Sequence, residues 1–194
     1  MAWPGGLRSD CRKRMFAYRI DDDLELRMLE ERHAQELCEA IDRHRQDLRA
    51  WLPWVDGSRS ADDITAFIRS ARQDYAVGRG LTCGIWHHGR VVGTIGLRVD
   101  PAHHSGEIGY WLAREARGQG TMTRATRALV DHGFGDLELH RIVLQCATGN
   151  RASRAIPERL GFTLEGTLRE AEWVNDHFKD LAVYAMLRRE WGRA

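Results

Sequence analysis

Arg117-Gly118-Gln119-Gly120-Thr121-Met122-Thr123 is the stretch on which the reading of this fold turns. It follows a strand-like run, Glu107 to Leu112, and opens a helix-like run ending near Phe134. A further apolar run, Arg141 to Thr148, reads as a buried strand. Strand, loop, helix and strand in that order imply a parallel crossover. Two glycines let backbone N–H groups approach an anion without Cβ interference. The helix start adds unpaired N–H groups and a positive dipole end, and Arg117 adds a charge, so the stretch reads as a pyrophosphate cradle. It is not a P-loop, because no Lys-Ser or Lys-Thr follows the second glycine. It is not a dinucleotide fingerprint, because Met122 and Thr123 stand where a third glycine belongs. By itself the loop fits a plain glycine-rich turn equally well.

Outward from the cradle the remaining elements fall into place. Tyr18 to Leu29 reads as a first strand, and Glu31 to Arg49 as a helix with Leu37, Ile41, His44 and Leu48 at helical spacing. Pro53 interrupts Trp51-Leu52-Pro53-Trp54. Ser60 is a candidate cap for a second helix carrying Ile64, Phe67, Ile68, Ala71 and Tyr75, ended by Gly78 and Gly80. Leu81 to His87 and Arg90 to Val99 form a hairpin through His88-Gly89. After the crossover, Asn150 to Leu160 is a short helix, and Phe162 to Trp173 and Leu181 to Leu187 are antiparallel neighbours. The expected fold class is α/β: a three-layer α/β/α arrangement around one mixed, mostly antiparallel sheet. Residues 1–14 read as a disordered tail and 15–194 as a single domain.

Composition excludes more than it assigns. With 194 residues, 43% hydrophobic and 29% charged, the chain can build one core, and a net charge of +1 gives no reason to expect a nucleic-acid partner. The four cysteines, Cys11, Cys38, Cys83 and Cys146, include no C-x-x-C pair, which fits a reducing cytoplasm. No apolar run approaches the ~20 residues that cross a bilayer, so no membrane partner is expected. His87-His88 and His103-His104 read as exposed turn residues without metal-ligand spacing, and no metal is expected.

Three blocks together resemble the GCN5-related N-acetyltransferases. The cradle is similar to that family's coenzyme A loop, Arg/Gln-x-x-Gly-x-Gly/Ala, with Arg117 and Gly120 matching and Met122 departing. Asn150, Ser153, Glu158, Leu160, Gly161 and Phe162 fit the outline Asn-x-x-Ala/Ser followed by Tyr-Glu-Lys-x-Gly-Phe. Pro157 stands where many members carry a tyrosine that protonates the leaving thiolate. Proline has no proton to give, and its missing N–H leaves the Ser153 carbonyl without its intrahelical donor. Ser153 is read either as the helix N-cap or as a hydroxyl facing the cofactor. Gly166-Thr167-Leu168-Arg169-Glu170-Ala171-Glu172-Trp173 and the Leu48 to Trp54 segment resemble the Rim-type branch, the ribosomal-protein-serine and ribosomal-protein-alanine N-acetyltransferases.

The resemblance implies transfer of an acetyl group from acetyl-CoA to an amine by direct attack in a ternary complex, in a cytoplasmic homodimer. It implies Glu172 as general base and Ser153 as acid toward the thiolate, with Glu107 competing for the role of base. It implies coenzyme A binding by Trp111, Leu112, Arg117, Gly118, Gln119, Gly120, Thr121, Met122, Thr123, Asn150, Ser153 and Arg154. The acceptor is expected against Trp51, Trp54, Tyr110, Glu172 and Trp173. An α-amine, with a pKa of about 8 against about 10.4 for lysine, needs only modest help from a carboxylate near neutral pH, which suits a protein N-terminus. Two alternatives stay open: a small-molecule acceptor such as a polyamine, aminoglycoside or amino-acid analogue, and a coenzyme A-binding module without catalysis.

Overall fold

The computed structural model describes residues 17–192; the expected tail, 1–14, lies outside them. Eight strands form one sheet in the order β1-β2-β3-β4-β5-β6-β8-β7. They are β1 (Ala17–Arg19), β2 (Leu24–Met28), β3 (Gly80–His87), β4 (Arg90–Asp100), β5 (Ser105–Leu112), β6 (Arg141–Ala147), β7 (Thr163–Val174) and β8 (His177–Leu187). The four α-helices are α1 (Ala34–Arg49), α2 (Ala61–Ala76), α3 (Thr121–Gly135) and α4 (Arg151–Arg159). Among the described residues only β5 and β6 pair in parallel, as the crossover through α3 requires, so the sheet is mixed and mostly antiparallel as the sequence predicts.

Two cores make the three layers. Leu37, Ile41, Ile64 and Ile68 of α1 and α2 pack with Trp86 and Trp111 in one cluster. Met122, Ala125 and Leu129 of α3, with Ile156 of α4, pack with Ile108, Ile142 and Leu144 in the other. Period-two alternation along β5 divides its side chains between these layers. Trp111 belongs to the α1/α2 cluster, whereas Ile108 and Leu112 belong to or pack against the α3/α4 cluster.

Several local expectations hold for the stated physical reasons. Ser60 caps α2 by accepting the Asp63 N–H, and the Asp63 carboxylate returns a bond to the Ser60 N–H, a capping box. His88 and Gly89 both take positive φ, +49° and +77°, as a tight two-residue hairpin turn needs. Three expectations are corrected. Tyr18 to Leu29 is not one strand but the hairpin β1–β2, because Asp21 Oδ1 accepts the N–H groups of Asp23 and Leu24 at 3.0 Å each and turns the chain. His87 is buried rather than exposed, as the last residue of β3 with its ring 4.2 Å from that of His88. The N-cap of α4 is Asn150, not Ser153; the Asn150 side chain accepts the Ser153 N–H at 3.1 Å.

The feature that makes room for a site is the parting of β5 from β6. Their ladder ends at Ile108 opposite Leu144, although β5 runs on to Leu112 and β6 to Ala147. On its other edge β5 stays paired with β4 as far as Leu112 opposite Gly93. Ala113 N–H donates to the Val92 carbonyl at 2.7 Å, so by alternation the Trp111 N–H also faces β4 while the Tyr110 and Leu112 N–H groups face the gap. Gly93 permits this close pairing, since a Cβ there would lie 2.2 Å from the Trp111 carbonyl oxygen. Gly93→Ala is therefore expected to lower stability by about 3 kcal/mol, the upper end of overpacking costs, read as a lower denaturation midpoint at unchanged m-value.

Candidate active site

Two cavities meet at the gap. One, of about 850 Å³, runs from the gap along the start of α3 to α4; the other, of about 490 Å³, lies between β4–β5 and the helices α1 and α2. Leu52, Tyr110 and Trp111 line both, so the end of β5 is the partition between them.

The larger cavity is built around the cradle. Gly118 and Gly120 both take the left-handed conformation, φ +77° and +73°, which an L-residue enters at a cost of roughly 1–2 kcal/mol. Gly120 is the N-cap of α3 and offers no side-chain cap. The first intrahelical acceptor, the Gly120 carbonyl, takes the Arg124 N–H, so the N–H groups of Thr121, Met122 and Thr123 are left without an intrahelical partner. Thr121 is 1% exposed and its hydroxyl has no hydrogen-bond partner among the described residues. An orphaned hydroxyl beside free helix-terminal N–H groups is what a bound phosphate would satisfy, so the residues present fit the pyrophosphate of coenzyme A. The Met122 side chain is 5% exposed and packs in the core, leaving its backbone at the cradle.

Of the residues the resemblance assigns to coenzyme A, Trp111, Leu112, Arg117, Gly118, Gly120, Thr121, Met122, Thr123, Asn150 and Ser153 line this cavity, and so do Trp51 and Tyr110, which it assigns to the acceptor. Gln119 and Arg154 do not. The Gln119 amide turns back to the Glu115 carbonyl. The Arg154 guanidinium is held by the Tyr184 hydroxyl at 2.9 Å and the Thr148 carbonyl at 3.2 Å. Arg117 lines the cavity with its guanidinium donating to the Leu112 carbonyl at 3.0 and 3.1 Å, so it also ties the loop to the strand end. Sequence reading missed Arg151 and Arg159, which line the same wall. Arg151 carried a signal: it opens α4, and a cation in a first helical turn opposes the dipole unless an anion sits beside it.

The smaller cavity holds the carboxylates. Glu107, Trp54, Tyr110, Trp111 and Glu172 line it, together with Asp74, Arg79, Arg98 and the apolar Leu37, Ile41, Ile64 and Phe67. Glu172 reaches it from β7, at the far edge of the sheet, through a wide bulge. Between the pairs Leu168–Leu181 and Glu172–Lys179, β7 advances four residues while β8 advances two. Glu170 sits in the bulge at φ +49° and its N–H is held by Asp180 Oδ1 at 2.8 Å. The hairpin tip is tied down by Asn175, whose amide donates to the Arg49 carbonyl at the end of α1, and by Lys179, whose ammonium lies 4.8 Å from the Trp51 ring. Trp173 alternates to the opposite face, where it is 52% exposed and meets Phe178 edge to face. The structure thus brings Trp54 to the smaller cavity, Trp51 to the larger, Tyr110 to both and Trp173 to neither.

The carboxylates differ in environment. Arg98 neutralises Glu107 at 2.5 Å and Arg79 neutralises Asp74 at 3.2 Å. Glu172 has no such ion pair among the described residues; burial pushes its pKa up, opposed by Lys179 and reinforced by the nearby charge of Glu107. Ser153 Oγ lies 3.2 Å from Tyr110 Oη and donates to Cys146 Sγ at 3.2 Å.

Comparison with known proteins agrees with this geometry. A family model for the acetyltransferase (GNAT) domain matches residues 23–163. The chain is 38% identical over 179 residues to the putative ribosomal N-acetyltransferase YdaF of Bacillus subtilis (strain 168), covering 91% of this chain and 98% of that one. It is 31% identical over 170 residues to the ribosomal-protein-serine acetyltransferase of Escherichia coli (strain K12), covering 87% and 95%. Among solved structures it superposes with TM-score 0.85 and 27% identity on RimL, a ribosomal L7/L12 α-N-protein acetyltransferase in complex with coenzyme A, covering 88% and 97%.

Thr121→Val separates the two roles of the cradle by sign. It removes a hydroxyl that is buried without a partner, so thermal stability is expected to hold or rise. Affinity for coenzyme A, measured by calorimetric titration, is expected to fall by about tenfold, the loss of one hydrogen bond to a charged group.

Proposed function

The chain belongs to the acetyltransferase (GNAT) family and is an acetyl-CoA-dependent N-acetyltransferase; on that footing we propose that its acceptor is the N-terminal α-amino group of a protein. One observation carries the choice. Of the three carboxylates in the acceptor cavity, Asp74 and Glu107 are ion-paired to Arg79 and Arg98, and Glu172 is the one without an ion pair among the described residues, with Lys179 near enough only to temper its charge. A polyamine or aminoglycoside brings several cations and calls for several free carboxylates. A peptide terminus brings one cation on an otherwise neutral, partly apolar chain. The walls of Leu37, Ile41, Ile64 and Phe67, with Trp54 at 37% exposed, suit such a chain. The ribosomal-protein acetyltransferases among its relatives support the same reading.

The proposed mechanism follows from protonation states. Glu172, directly or through one water, takes a proton from the acceptor's ammonium and so frees the neutral amine to attack. Its raised pKa brings it nearer to that of the α-amine, about 8, which lowers the cost of the transfer. The Tyr110 and Leu112 N–H groups, freed by the parting of the strands, are placed to hold the acyl oxygen as charge develops on it. Acetyl-CoA supplies the acyl group and a thiol leaving group with a pKa near ~8.5. The proposal includes direct attack in a ternary complex. Cys38, Cys83 and Cys146 are buried and unpaired, which supports a reducing, cytoplasmic setting and not a surface nucleophile. We also propose a homodimer, supported by the open edge of β7, where Leu164 and Leu168 are 50% and 47% exposed. Leu164→Glu with Leu168→Glu is expected to convert a dimer to a monomer in light scattering; a wild-type monomer sinks that part of the proposal.

The acceptor is tested by thiol release with acetyl-CoA and peptides bearing free serine or alanine N-termini, beside the same peptides blocked and beside spermidine. Turnover of the free peptides alone is expected; turnover of spermidine alone would overturn the choice. Glu172→Gln is expected to lower kcat/KM by about 10²–10⁴. The wild-type acid limb should lie above the ordinary carboxylate range, as the upward shift of Glu172 dictates. Because the folded pKa is raised above the unfolded one, ionised Glu172 disfavours folding as pH rises through that value. Glu172→Gln should therefore be at least as stable as wild type at pH 7, read from its thermal midpoint, while losing activity.

A further inference from the structure

Pro157 stands where other family members carry a tyrosine, yet a phenol from another element reaches the first turn of the same helix. Tyr110 reaches from the end of β5 across the gap to the first turn of α4, and its hydroxyl lies 3.2 Å from the Ser153 carbonyl and 3.2 Å from Ser153 Oγ. The carbonyl is available because Pro157, four residues on, has no N–H to give it. Ser153 Oγ in turn donates to Cys146 Sγ on β6. Three side chains from β5, α4 and β6 thus join where the main-chain ladder between β5 and β6 has already ended. Tyr110 and Ser153 both line the coenzyme cavity.

We propose that Tyr110 is a positioning residue for the leaving group: it holds the Ser153 hydroxyl and polarises it as hydrogen-bond donor to the departing thiolate. The inference rests on the acetyltransferase reading above. A thiolate with a pKa near ~8.5 is a far weaker base than an alkoxide, so Ser153 keeps its proton and acts through a charge-assisted hydrogen bond. The phenol has one proton to share between the Ser153 carbonyl and Oγ; directed to Oγ, it strengthens the bond Ser153 gives, since successive hydrogen bonds polarise one another. Tyr110 breaks no bond of its own: burial pushes its pKa up, so the phenol stays protonated throughout. In this structure Ser153 gives its proton to Cys146 Sγ, and the hydroxyl turns from that sulfur to the thiolate when one forms; with Ser153 donating to Tyr110 instead, the phenol could not polarise it.

The test uses the full chain with acetyl-CoA and a peptide amine, and compares Tyr110→Phe, Ser153→Ala and the double variant. Phenylalanine keeps the ring, so KM for acetyl-CoA should stay within about twofold and kcat should fall about tenfold. The double variant should lose no more than Ser153→Ala, because Tyr110 acts through Ser153. Unchanged or raised kcat in Tyr110→Phe, or losses that multiply in the double variant, would overturn the inference. Pro157→Ala supplies the second readout, since it returns an N–H to the Ser153 carbonyl. Placed on Tyr110→Phe it should restore thermal stability without restoring kcat; recovery of kcat would show that Tyr110 only satisfies the carbonyl. A wild type that turns over no amine would sink the acetyltransferase reading itself, whereas turnover with an indifferent Tyr110→Phe sinks only this inference.

Discussion

Everything functional in this molecule depends on two parallel strands that stop pairing before they end. After Ile108 and Leu144, β5 keeps its partner β4 and β6 keeps its partner β8, so neither strand unravels when the two separate. A sheet normally spends its interior N–H groups on its own ladder. Here two of them, on Tyr110 and Leu112, are released inside the protein without any loss of strand geometry. The same parting opens a passage through the sheet from the α3/α4 layer to the α1/α2 layer. Cofactor and acceptor can therefore approach from opposite faces and meet at one strand end.

The elements around the gap then divide the labour by their own physics. On the α3 side, two left-handed glycines and a bare helix start provide donors without side chains in the way, and the buried Thr121 hydroxyl adds another. On the α1/α2 side, charges are paired off until one carboxylate remains. That carboxylate comes from the far end of the sheet, because the β7 bulge and the tethers at Arg49 and Trp51 bend the hairpin tip back over the gap. The bulge costs ladder hydrogen bonds in β7. It places Glu172 where burial raises its proton affinity, something a regular strand at that edge would not do.

Much of this was legible in the sequence, and the boundary is instructive. The cradle was legible because glycines at positive φ and a helix start leave a local signature within seven residues. The layers were legible because β5 and α3 carry their periodicities openly. The β1–β2 turn was missed because it depends on one side chain, Asp21, accepting two N–H groups, while the apolar alternation runs on to either side of it. The face of Trp173 depends on the bulge beside it, and bulges are not written in alternation. Arg154 was legible as basic and near the cofactor, but its commitment to Tyr184 is a contact thirty residues away in the chain.

The pairing of Tyr110 with Ser153 belongs to the same class of non-local facts, and it shows how a departure from a motif is absorbed. Pro157 removes two things at once: a proton donor near the coenzyme and an N–H inside α4. A helix as short as α4 cannot compensate the second from within, since its first-turn carbonyls have no alternative donor of their own. The donor that serves the Ser153 carbonyl comes from outside the helix, from the Tyr110 hydroxyl at the end of β5. Tyrosine at 110 places its hydroxyl 3.2 Å from both the carbonyl and Oγ of the same serine, and can give its one proton to either. A phenylalanine there would pack as well and satisfy neither. The proline and the tyrosine are therefore best understood as one feature, split between a helix and a strand that meet only after folding.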